Sequence, residues 1–126
     1  MRYLGVDWGL KKIGIAVSEG ELATPLKTLN VKSLDDAIAQ VVECVEDEIA
    51  DLIILGQPEG EMGEIVKKVA KRLKGEGFDV KLTDETLSTQ DAKSLLIEMG
   101  LGKKDRKEDN ATAAAIILQR YLDEKH

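Results

Sequence analysis

The chain has one cysteine, Cys44, and one histidine, His126, in 126 residues. An intrachain disulfide is therefore impossible, and the lone thiol fits a reducing compartment. With His126, the last residue of the sequence, as the only histidine, a histidine-based triad or a histidine-rich zinc centre is not expected. Cys44 lies in the apolar-periodic stretch AIAQVVECVEDEI, which makes it a small core residue rather than a nucleophile. Aromatic residues are almost as scarce: Tyr3, Trp8, Phe78 and Tyr121 are the whole set. The core must be aliphatic, and a platform stacking several bases in a row is disfavoured. No apolar run reaches membrane-spanning length, and no basic-apolar-small leader pattern opens the chain. We expect one domain over residues 1–126, cytoplasmic, with no membrane partner, as a monomer or homodimer.

Charge is abundant but unevenly placed. The net charge of −6 argues at first against a nucleic-acid partner. Residues 33–66 hold ten acidic side chains and no basic one, whereas residues 67–74 hold five basic and no acidic ones. The five cations of 67–74 spread around a helix and read as solvated surface. The segment KKDRK at 103–107 follows Gly100 and Gly102 and reads as a basic loop, so Lys103, Lys104, Arg106 and Lys107 are candidates for phosphate contact.

Periodicity gives the order of elements. Residues 2–8 (RYLGVDW) and 12–18 (KIGIAVS) read as strands of a hairpin, and 24–31 (TPLKTLNV) as a third strand that Pro25 places at an edge. Ser33 caps a helix from Leu34 to about Ile49, with apolar positions 34, 37, 38, 41, 42, 45 and 49. LIILG at 52–56 is apolar throughout, which suits a parallel strand covered on both faces. QPEGEMG reads as a loop, 64–74 as a helix ended by Gly75 or Gly77, and FDVKLT at 78–83 as a fifth strand. Further helices are expected from Ser88–Thr89 to Met99 and over about 110–124. Right-handed crossovers and short connections leave one simple α/β solution. It is a five-stranded mixed sheet, a three-strand antiparallel meander plus two parallel strands flanked by helices, as in ribonuclease H.

In such a sheet chemistry collects at the carboxyl edge of the strands. Asp7 ends the first strand, Asp84 and Glu85 follow the fifth, and Asp109 and Asn110 open the last helix. Clustered carboxylates repel unless a cation lies between them, and an all-oxygen donor set selects a hard ion, Mg²⁺ or Mn²⁺. Such ions support phosphodiester cleavage. Asp84 or Asp109 could equally cap a helix, and a strand-end aspartate can satisfy turn amides. Gly9 and Gly14 leave open backbone beside Asp7, as close phosphate approach requires, and Lys11 and Lys12 stand in the same turn. The DxG…GxA spacing also opens sugar kinases and actin-like ATPases, but those need a second domain.

The segment VDWGLKKIGIAVSEG resembles the opening motif of the YqgF-like family of pre-16S rRNA nucleases, also called Holliday-junction resolvase-like proteins. ILGQPEGEMG resembles the family's Gly-Leu-Pro loop, DETLST at 84–89 its Asp-Glu-Arg-Leu-Thr-Thr motif, and NATAAAIILQRYL its final helix. The resemblance implies an RNase H-like fold, a metal-dependent nuclease and maturation of the 5′ end of 16S rRNA, with resolution of branched DNA as the alternative. It implies a nucleic-acid partner, and the ribosome as a further one. Asp7 and Glu85 would hold the metal, and the position of Asn110, where the family has aspartate, would complete the site. Asp109 precedes it, though one helical residue turns a side chain by about 100°. Thr86 replaces the family's arginine, removing a phosphate clamp. These two departures favour a third reading, a catalytically weak nucleic-acid or ribosome-associated binding module.

Overall fold

Two packing faces and two chain directions meet in one sheet. The structure, a computed structural model, describes residues 1–84 and 110–125. Its strands are β1 (Tyr3–Asp7), β2 (Lys12–Ser18), β3 (Thr24–Asn30), β4 (Leu52–Gln57) and β5 (Val80–Asp84). They lie in the order β3-β2-β1-β4-β5. The first three form an antiparallel meander, and β4 and β5 join β1 in parallel. This is the mixed sheet expected from the sequence, with β3 at an edge. Helix α1 (Leu34–Glu48) and helix α2 (Glu61–Gly75) connect the parallel strands, and α3 (Asn110–Lys125) is the last described helix.

Alternation along the strands sorts the side chains. Leu4, Val6 and Trp8 of the β1 region pack with Ile53 and Leu55 of β4 against Val41 and Val45 of α1 and Val66 and Leu73 of α2. Tyr3, Ala16 and Ile54 face the other way, against Ala114, Ala115, Leu118 and Leu122 of α3. Helices on both sides explain why LIIL is apolar without a break. Cys44 is buried in the first of these cores, and burial pushes its thiol pKa up.

The element boundaries shift for local reasons. Ser33 caps α1 as expected, its Oγ accepting from the Asp36 amide at 3.1 Å. The helix stops at Glu48, because Ile49 adopts a left-handed conformation (φ 52°) and the Ala50 amide closes back on the Val45 carbonyl. Leu34 and Ile49, counted on spacing with the apolar face, lie at its ends and are exposed. Helix α2 begins at Glu61, three residues before the expected start. Gly60 is its N-cap, and Glu61 and Glu64 favour the positive end of the helix. Strand β5 begins at Val80 rather than Phe78. Gly77 (φ 98°) turns the chain left-handed, and the Phe78 amide is used to close α2 on the Leu73 carbonyl. The expected helix over 88–99 lies outside the described residues.

Candidate active site

Asp7 is the last residue of β1 and is half-buried. Its register partner across the hairpin is Gly14. Directly opposed residues of an antiparallel pair share a face and lie about 5 Å apart. The face shared by Asp7 and Gly14 is the α3 side, since Gly5, two residues earlier in β1, would place a Cβ 2.7 Å from the Leu118 Cβ. At Gly14 the fit is closer still. A Cβ there would overlap the Asn110 carbonyl and come within 2.9 Å of the Ala111 nitrogen. The hydrogen at Gly14 therefore seats the first turn of α3 on the sheet, and that seat adjoins Asp7. Asn110, expected to align with the family's acidic position, is half-buried as the first residue of α3. The structure thus brings Asp7 and the start of the last helix together, from residues 103 positions apart in sequence.

Asp84 goes elsewhere. It pairs with Gln57 at the ends of β5 and β4. Counting back through the register, Leu82 and Leu55 share its face, which is the α2 side. There Asp84 lines a polar hollow of about 450 Å³ with Gln57, Pro58, Gly63, Glu64 and Lys67. Asp84 is separated from the Asp7 face by the sheet itself. Glu85, Asp109 and the basic residues Lys103, Lys104, Arg106 and Lys107 lie outside the described residues, as does Thr86. No group of three potential metal ligands occurs among the described residues.

Gly9 has a structural duty of its own: a Cβ there would overlap the Lys12 carbonyl, so the tight β1–β2 turn requires glycine. Lys11 and Lys12 are exposed on that turn. The Lys11 carbonyl accepts from the Val31 amide at 2.9 Å, which ties the turn to the start of α1. Lys125, whose pKa is raised by a hydrogen bond with the Tyr3 hydroxyl, is at the far end of α3 and takes no part in the site.

The donor that Asp7 itself offers is a carboxylate oxygen. Cys44 is sealed within the α1–α2 core on the opposite face. This donor chemistry fits a hard divalent cation and does not fit a thiolate or imidazole zinc centre. The role of Gly14 is only half visible in the sequence. The pattern marks open backbone, but nothing in it says that a helix start fills the space.

Comparison with known proteins agrees with this architecture. The model of the family described as RuvX, Holliday junction resolvase, matches residues 1–124. A protein of Dictyoglomus thermophilum named "Putative pre-16S rRNA nuclease" is 36% identical, the alignment covering 98% of this chain and 96% of that one. One of the same name from Geobacillus sp. is 35% identical, with 99% of each chain covered. Among solved structures, that of Thermus thermophilus RuvC superposes with a TM-score of 0.69 at 15% identity, over 99% of this chain and 96% of that one. The last likeness concerns the fold. Taken with the family match along nearly the full length, these findings establish that the chain belongs to the RuvX family of Holliday junction resolvases, a family of nucleic-acid-cutting hydrolases.

Proposed function

We propose that this protein hydrolyses phosphodiester bonds of structured nucleic acid with the help of Mg²⁺ or Mn²⁺, and that its substrate is precursor 16S rRNA. The observation that carries this reading is the junction of Asp7 with the start of α3 over Gly14. It sets a carboxylate at a strand end beside a helix start whose preceding residue, Asp109, is a second acid. Asp7 and Glu85 would hold the cation, and Asp109 or Asn110 would complete its shell. A divalent ion at such a cluster supplies Lewis acidity toward phosphorus–oxygen bonds. The residues of the chain do the rest. Asp7, fixed by the β-ladder, presents its oxygens at one place. Lys11 and Lys12 offset the charge of phosphates flanking the cut, and Lys103, Lys104, Arg106 and Lys107 extend that contact along the strand. The tight turn at Gly9 keeps the backbone low beside the passing phosphates.

The named relatives support the rRNA substrate. The family description supports a second reading, cleavage of branched DNA by the same chemistry. One assay separates them. A 5′-extended 16S rRNA fragment, an unstructured single-stranded RNA and a four-way DNA junction are incubated with the protein in Mn²⁺. Cleavage of the rRNA fragment ahead of the others is expected, and its loss in Asp7→Asn. Cleavage of the junction alone replaces the rRNA reading with the DNA one. Failure to cut any of them in any divalent metal reduces the protein to a binding module, as Asn110 and Thr86 would then explain.

A further inference from the structure

The row of residues that crosses the sheet at Asp7 continues past it. Gly14 of β2 lies on one side. On the other, one step beyond the Val6–Leu55 pair, comes Gly56 of β4, and Gly56 is paired with Thr83 of β5. These residues share one face. Gly5 and Ile54, each two residues earlier on its strand, are on the α3 side, and partners across a ladder point the same way. Asp7, Gly56 and Thr83 therefore stand in a line at the carboxyl edge of the sheet. Within that row no side chain separates the carboxylate from the hydroxyl.

Thr83 is only 8% exposed. A buried hydroxyl is costly to leave without a partner. Other buried polar side chains spend their atoms on the fold. The Ser18 Oγ accepts from the Gly20 amide at 3.0 Å. Gln119 accepts from the Ala23 amide at 2.8 Å and donates to the Glu21 carbonyl at 3.0 Å. The Thr83 hydroxyl makes no such bond among the described residues. A valine would fill the same space and suit a strand as well, so only the hydroxyl distinguishes the threonine.

The spacing says what that hydroxyl can reach. Two strand intervals set Thr83 about 10 Å from Asp7, Cα to Cα. Two oxygens bound to one small divalent ion lie at most about 4 Å apart, so this pair is too widely set to share an ion directly. A carboxylate, an ion, one of its waters and a hydroxyl in series span about 7 Å, which the two side chains can bridge. Mg²⁺ keeps several waters when bound. We infer that Thr83 is a positioning residue of this site, its hydroxyl holding one of the waters of the cation's shell. The inference rests on the cation-dependent nuclease reading above and deepens it.

Two variants separate this role from packing. Thr83→Val keeps the shape and removes the hydroxyl, whereas Thr83→Ser keeps the hydroxyl and removes a methyl group. Mn²⁺ affinity is read without nucleic acid, from the electron paramagnetic resonance signal of the free ion, beside the metal-free Tm and cleavage. Thr83→Val should bind Mn²⁺ about tenfold more weakly, the scale of losing a group that orients a metal's bound shell. Its metal-free Tm should equal or exceed the parent's. Thr83→Ser should melt lower, as the poorer strand former, yet bind Mn²⁺ as the parent does. Parent-like affinity in Thr83→Val would overturn the inference, and a fall in its cleavage alone would then place the hydroxyl on a substrate phosphate. Equal weakening in both variants would also overturn it and leave Thr83 a packing residue. The nuclease reading fails separately. A parent that binds Mn²⁺ and cuts nothing sinks that reading and leaves Thr83 to be decided by the affinities, while a parent that binds no Mn²⁺ sinks both.

Discussion

Gly14→Ala adds one methyl group at the point where the sheet, Asp7 and the last helix meet. Gly14 has ordinary extended strand geometry, so alanine incurs no backbone penalty and the effect is purely steric. Its Cβ would overlap the Asn110 carbonyl and lie 2.9 Å from the Ala111 nitrogen, both of them backbone atoms that no rotamer change can move aside. Restoring ordinary contact, at about 3.4 Å, displaces the first turn of α3 by roughly 1 Å or more. Overpacking of this kind costs about 1–3 kcal/mol, which for a domain of this size lowers Tm by roughly 5–15 °C. The catalytic loss should be larger, since a displacement of about 1 Å in a positioned group can cost on the order of 10²-fold in rate. Gly5→Ala is the control. Its Cβ meets the Leu118 Cβ at 2.7 Å and the Ala114 carbonyl at 3.0 Å, in the middle of the same helix and away from Asp7. It should lower Tm comparably while reducing cleavage no more than about tenfold. Both variants are assayed in Mn²⁺ well below their melting temperatures. If Gly14→Ala melts and cuts like the parent, the start of α3 does not rest where the structure has it, and the proposed site loses its frame.

Asp7→Asn should abolish cleavage and leave the metal-free Tm unchanged or higher, because one charge leaves the proposed acidic site; parent-rate cutting, or unfolding, makes Asp7 a structural residue. Asn110→Asp should raise the rate in Mn²⁺ by about tenfold, which needs only ~1.4 kcal/mol, and should enlarge the metal-induced rise in Tm. Silence of that variant together with loss of activity in Asp109→Asn would instead assign the ligand to Asp109. Leu118→Ala removes a fully buried side chain of α3 and should cost about 2–5 kcal/mol by chemical denaturation; a loss under half the lower figure would mean that α3 is loosely packed. Cys44 should resist alkylation until the protein unfolds. Its thiol pKa is raised from 9.0 by burial, so its stabilising share is fully present below pH 9.0 and fades as pH climbs through the raised value; fast native-state labelling would contradict that burial.

Most of the fold is legible in the sequence because the strong signals are local. The alternation of KIGIAVS, the unbroken LIIL and the serine before LDDAIAQ each depend on a few neighbours. The misplaced boundaries fall where local signals compete. Phe78 has the character of a strand residue, yet its amide is spent on closing α2. EMG, among two glycines and a proline, has the composition of a loop, yet Gly60 is a cap and Gly63 has no side chain because one would strike the Pro58 carbonyl. Ile49 carries the right hydropathy for the core, but the left-handed turn at the end of α1 swings it into solvent. Propensity decides the interior of an element, whereas its ends are set by which backbone groups remain to be satisfied.

The candidate site is legible to a different degree, and the reason is geometric. A sequence shows that Asp7 ends a strand and that Asn110 opens a helix, but not that the two share a face. That follows from a register, Asp7 opposite Gly14, and from a helix start resting on the glycine. Asp84 makes the same point in reverse. It is an acid at the carboxyl edge, as good a candidate on sequence as its neighbour, and strand alternation turns it toward α2. An odd step along a strand decides the side of the sheet, and sequence alone does not say which step an acid occupies. With Asp84 turned toward α2, the partner proposed for Asp7 stays Glu85, the residue that the family resemblance assigns. Asp84→Asn should therefore retain cleavage within a few-fold of the parent, while Glu85→Gln should lose it by orders of magnitude. Equal losses in the two variants would mean that the strand alternation does not govern the site.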